Sequence, residues 1–148
     1  MMTRRNDPPQ TSEQTTLEQQ VESLRRDIRK LQITVLLADG LGHGTFANHA
    51  ATQAARSLEA NGNAPIKEIV HCAHAVLRST VGACVGVARV PMVSSITHPA
   101  LTFAGIGNIS ASVWTEPSHK HLPSHDGVVG HPSSLRCFTA ASRGSMTM

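Results

Sequence analysis

The chain has 148 residues, 40% of them hydrophobic and 16% charged, which is the size and balance of one globular domain and excludes a wholly disordered chain. Its formal net charge is +3, its Lys and Arg are scattered, and aromatic residues make up only 3%, so it lacks the basic face and stacking rings of a nucleic-acid binder. No run reaches the roughly 18 apolar residues of a membrane span, and the arginines of MMTRRNDPPQ are followed by no apolar stretch, so neither a membrane helix nor a secretory signal is expected.

Residues 1–15 are polar and carry Pro8 and Pro9, which predicts a disordered tail. Over 16–31 the apolar residues Leu17, Val21, Leu24, Ile28 and Leu31 alternate at spacings of four and three, with charged residues between them. That is the seam pattern of a heptad on an amphipathic helix. Two readings stay open: a helix packed on its own domain, or a helix that pairs two copies through residues 17–31.

ITVLLA at 33–38 is apolar and β-branched and stops at Asp39-Gly40, which predicts a buried strand. A turn with Gly40, Gly42 and Gly44 leads into a helix from about Phe46 to Ala60, stopped by Asn61-Gly62-Asn63. Pro65 opens a second helix over 66–77. Small-residue strands follow at 81–90, 101–107 and 109–114, the last two joined as a hairpin at Gly107-Asn108. Residues 115–134, rich in His, Pro, Ser and Gly, read as a loop, LRCFT at 135–139 as a short strand, and 141–148 as a frayed tail. Helices packed on an antiparallel or mixed sheet, an α+β fold, are the expected outcome.

Three cysteines, Cys72, Cys84 and Cys137, show no close pairing, which predicts reduced thiols and a cytoplasmic setting. His71 and His74 share a helix face, but no second ligand pair stands at zinc spacing, so a structural role is favoured. His119, His121, His125 and His131 read as residues of a solvated loop.

The segment LLADGLGHGTFANHAATQAA, 36–55, carries the chemistry. A carboxylate at a strand end is held rigidly, and a glycine beside it offers a backbone carbonyl, both of them oxygens that a hard divalent cation takes. Taken alone, the same Asp-Gly turn reads as plain strand-to-helix geometry. His43, inside it, is either a contact for a substrate phosphate or an ordinary turn residue.

ADGLGHG before an Ala-rich helix, then HAVLRSTVGACVGVARV, LTFAGIGNISASVW and DGVVG in the same order, resembles the bacterial PPM-type serine/threonine phosphatases of the SpoIIE/RsbX-like branch over residues 33–139. The resemblance implies a sandwich of antiparallel sheets flanked by helices, with 32–140 as a partial phosphatase domain. It implies two Mn²⁺ or Mg²⁺ ions that activate a bridging water for attack on phosphorus. Asp39 and the Gly40 carbonyl would be metal ligands, His43 a substrate contact, and a phosphorylated regulatory protein, such as an anti-sigma-factor antagonist, the partner. The family's earlier acidic strand motif is replaced here by the heptad helix, and its late Ser-Asp-Gly motif is not found. Hence the expectation is an impaired, truncated phosphatase core, with a non-catalytic binding or dimerisation module as the alternative.

Overall fold

The structure, a computed structural model, describes residues 12–92, 100–115, 117–132 and 140–143. The expected strand at 135–139 and the expected tails at 1–11 and 144–148 lie outside the described residues.

The order of elements is α1 (Ser12–Lys30), β1 (Gln32–Gly40), α2 (Gly44–Asn61), α3 (Ile66–Leu77), β2 (Ala83–Pro91), β3 (Ala100–Ile106), β4 (Ala111–Thr115), β5 (Ser118–Leu122), β6 (Ser124–His125) and β7 (Ala140–Arg143). Helix α1 thus starts before the expected boundary, at Ser12, and β7 takes up residues assigned to the frayed tail.

Strands β1, β2 and β3 run antiparallel in that spatial order, and β3 continues to a parallel β6 and an antiparallel β7. Alternation of side chains along each strand gives the sheet two unlike faces. On one face Leu36, Ala38, Val85, Val87, Ala104 and Ile106 pack beneath α2 and α3, whose Ala50, Ala54, Ile69, Val70, Ala73 and Leu77 complete the core. Alanine on α2 lets that helix lie close to the sheet, and the larger aliphatics of α3 fill the rest. Val129 closes this core from the chain that returns after β6, held by paired backbone hydrogen bonds between Val129 and Ala83 (3.0 and 2.9 Å).

The second face is covered on one side only. Phe103, Ile109 and Leu122 form a small cluster there, with Ala88, Leu101, Ala111 and Val113 against it, beneath the two-stranded β4–β5 ribbon. Over β1 none of the described residues covers that face: Ile33, Val35 and Leu37 are 51%, 55% and 58% exposed. The fold is therefore α+β, as expected. The antiparallel sandwich implied by the resemblance is not formed among the described residues, because its second layer is a two-stranded ribbon that stops short of β1.

Two local expectations are corrected. The chain after β3 does not turn back as a hairpin; β4 leaves for the other sheet and pairs with β5. Gly107, at φ +94°, makes this crossover: its amide donates to the His125 carbonyl (2.7 Å) and its own carbonyl accepts from Ser124 Oγ (2.9 Å). The polar stretch expected as a loop holds β5 and β6, because a ribbon edge exposed to water tolerates His, Lys and Ser as well as a loop does.

Helix α1 buries none of its described side chains. Of the two readings of its apolar seam, packing on its own domain is thus not what the structure shows.

Candidate functional site

The strand-turn-helix from β1 to α2 is where the chemistry-bearing residues meet. Asp39 stands one residue from the end of β1, opposite Cys84 in the ladder, on the partly covered second face and exposed. Its strand-end position is the expected one. Gly40 is buried, and its conformation explains its identity less than its surroundings do: a Cβ there would run into the backbone carbonyl of Ala47 in α2. Gly40 is the point at which α2 crosses the strand closely enough to pack its alanines.

The turn beyond is fixed by the Leu41 amide donating to the Gly82 carbonyl (3.0 Å), and Gly42 and Gly44 take positive φ values of 82° and 75°. His43 lies between them as the residue capping α2, extended at φ −147° and exposed, and its side chain makes no capping hydrogen bond. Asp39, Gly40 and His43 therefore share one short segment at one end of the sheet.

Divalent-metal chemistry requires more oxygen donors than this segment gathers. A Mg²⁺ or Mn²⁺ ion takes about six ligands, and a two-ion centre needs several carboxylates. Among the described residues no group of three or more His, Cys, Asp or Glu side chains converges. With no further acid converging on it among the described residues, Asp39 with the Gly40 carbonyl does not fit a resident two-ion centre. A shallow depression on α2, lined by Gly44, Thr45, Asn48, His49, Thr52 and Arg56, includes neither Asp39 nor His43.

The histidines behave as the sequence suggests for His74 and otherwise do not cluster with the turn. His74 Nδ1 accepts a hydrogen bond from the Gly130 amide (3.0 Å), and burial, followed by the charges of Arg78 and His71, holds its pKa below the ordinary 6.5. Trp114 and His119 stack on the β4–β5 ribbon with ring centroids 4.5 Å apart, and His121 meets His119 edge-on. Cys72 and Cys84 are free thiols, each partly buried.

Sequence reasoning missed the open apolar surface of β1. The alternation in ITVLLA is masked because both faces of the strand carry apolar residues, so the segment reads as buried on both sides. Arg89 was also missed. It ties β1 and β2 to the α2–α3 connection through bonds to Thr34, Gly62 and Ala64.

No family model matches the chain, and no curated protein matches it. Among solved structures it is similar to a chain of the bacterial stressosome, a modular system adapted to control secondary messenger signalling, at 26% identity and a TM-score of 0.68, over 76% of this chain and 56% of that one. It is also similar to RsbX in complex with magnesium, at 18% identity and a TM-score of 0.62, over 74% of this chain and 54% of RsbX. The chain thus spans just over half the length of each, and the likeness to RsbX is one of fold alone.

These findings correct the assignment to the PPM-type phosphatases. The stressosome likeness is the stronger of the two, and no phosphatase model matches. The physical reason is that the glycines which carried the resemblance are accounted for by packing. Gly40 admits α2, a Cβ on Gly105 would strike the Phe103 ring, and one on Gly107 would strike Cys84. Any strand-turn-helix and sheet crossover of this closeness demands glycine at such points, whatever the chemistry. No helix among the described residues is long and apolar enough to cross a membrane.

Proposed function

We propose that the chain is a non-catalytic binding module of a signalling system, which docks a regulatory protein. One observation carries this reading: the uncovered half of the sheet, where Ile33, Val35 and Leu37 are exposed along an edge strand that ends at Asp39. A rigid strand with three exposed apolar side chains, and with a hydrogen-bonding edge that no strand among the described residues pairs, is a surface suited to a protein partner. The likeness to a stressosome chain, from a system that controls secondary messenger signalling, supports a regulatory setting.

The partner in this reading is a regulatory protein with a phosphorylation site, such as an anti-sigma-factor antagonist. In this reading Asp39, Gly40 and His43 are the polar end of the docking surface, and His43, the exposed N-cap of α2, contacts the phosphate together with the helix-end amides. Isothermal titration with the phosphorylated and unphosphorylated antagonist tests the reading. Binding is expected, weakened about tenfold or more by the double substitution Val35→Lys/Leu37→Lys. Phosphoserine peptide should not be turned over in the presence of Mn²⁺. Rapid Mn²⁺-dependent turnover, lost in Asp39→Ala, would overturn the proposal.

A further inference from the structure

Helix α1 carries an apolar seam that the rest of the described chain does not cover. Leu17, Val21, Leu24 and Ile28 are 62%, 40%, 61% and 42% exposed, although their spacing places all four on one face. In heptad terms Val21 and Ile28 occupy a positions, and Leu17 and Leu24 occupy d positions. The residues flanking that seam are unlike at its two ends. Glu18 follows Leu17 at the first e position, and Arg25 follows Leu24 at the next; both are exposed.

We propose that α1 is a homodimerisation helix that pairs antiparallel with α1 of a second copy of this chain. Centred between Glu22 and Ser23, an antiparallel pair sets Leu17 against Ile28 of the second copy and Val21 against Leu24 of the second copy. Symmetry repeats both layers, so all four apolar residues are used twice. The same register brings the two e positions together, which places Glu18 beside Arg25 of the second copy at both ends. Opposite charges flanking a coiled-coil seam set partner and orientation. A parallel pair would instead put Arg25 near Gln20, and its charge would gain no acid there. Charge complementarity therefore selects both the occupant of the seam and its direction. The inference is independent of how the β1 face is used.

Sedimentation equilibrium on the full chain tests it. The wild-type chain is expected to be in monomer–dimer equilibrium. Leu24→Asp should abolish the dimer while leaving thermal unfolding of the body unchanged, because none of the described side chains of α1 is buried in the core. Glu18→Arg alone and Arg25→Glu alone should each raise the dissociation constant about tenfold, by turning two attractive contacts into two repulsive ones. An equimolar mixture of the two single variants should recover wild-type affinity as a heterodimer. There the arginine introduced in one chain meets the glutamate introduced in the other, and the remaining native Arg25 meets the remaining native Glu18. A monomeric wild-type chain at millimolar concentration, a dimer that survives Leu24→Asp, or single charge variants that are not rescued by mixing each overturns the proposal.

Discussion

Thr34 and Arg89 face each other across the β1–β2 ladder, and Arg89 Nε donates to Thr34 Oγ1 at 3.0 Å. The same guanidinium reaches past the strand to the α2–α3 connection, where Nη2 donates to the carbonyls of Gly62 (2.8 Å) and Ala64 (2.6 Å). Three acceptors that no helix or strand satisfies are thus gathered by one planar donor group, which a point-charge ammonium cannot match. Arg89→Ala is expected to destabilise the chain by about 1–3 kcal/mol, chiefly through the lost donor to the Ala64 carbonyl and the weakened hold on Gly62, whose carbonyl keeps only the long bond from Thr34 Oγ1 (3.4 Å). Arg89→Lys should recover less than half of that loss. Urea unfolding followed by circular dichroism measures both, and a neutral Arg89→Ala would show that water replaces the guanidinium at no cost.

Gly40 and Asp39 are neighbours with opposite sensitivities. A methyl group on Gly40 meets the Ala47 carbonyl, so Gly40→Ala must push α2 off the sheet and should cost about 1–3 kcal/mol or more. Asp39 points from the same strand end to an exposed position, and Asp39→Asn should shift stability by no more than about 0.5 kcal/mol. The comparison separates the two reasons for an Asp-Gly pair at a strand end. Equal losses in the two variants would mean that Asp39 has structural partners at the turn.

The sequence told the helices apart from the strands where one period dominated. Pro65 marked the start of a helix over 66–77, and Ile66, Ile69, Val70, Ala73 and Leu77 are buried there at helical spacing. The strands at 81–90 and 101–107 were legible from their small and β-branched residues, and the structure moves each boundary by one or two positions. Pairing was not legible. Nothing local distinguishes Gly107-Asn108 as a hairpin tip from a crossover, since positive φ serves both, and the hydrogen bonds to Ser124 and His125 come from across the loop. The candidate site was legible as a position, strand end before helix, but not as a donor set. A ligand set depends on which distant acids converge, and a motif of glycines reports only how closely two backbones approach.

His74 and Gly130 give the stability a pH dependence of known sign. The Gly130 amide donates to Nδ1, a nitrogen that must be unprotonated to accept, so the folded chain favours neutral imidazole. Burial, then Arg78, then His71 act in the same direction and lower the pKa from 6.5. Between the lowered folded value and 6.5 the unfolded chain therefore binds a proton that the folded chain does not. Stability is full above that window and falls as the pH is lowered through it. His74→Gln, which keeps an acceptor but cannot titrate, should flatten this part of the profile while other groups keep theirs. Thermal unfolding of both proteins from neutral to mildly acidic pH measures the difference, and identical slopes would assign the acid sensitivity elsewhere.

Val35 and Leu37 are large apolar residues on a nine-residue strand, and neither the helices α2 and α3 nor the β4–β5 ribbon covers them. Replacing both with threonine supplies a β-branched preference for strand while removing apolar surface. Because these side chains are already more than half exposed, the double variant should lose no more than about 1 kcal/mol of stability. Leu36, one residue away and turned toward α2 and α3, packs against the core instead, and Leu36→Ala should cost about 2 kcal/mol or more. Fluorescence of an apolar dye bound to the folded chain should fall in the threonine variant, since the dye then loses its exposed strand face. A threonine variant as damaged as Leu36→Ala would mean that the outer face of β1 is packed in solution, and the docking surface proposed for a regulatory partner would then be occupied by the chain itself.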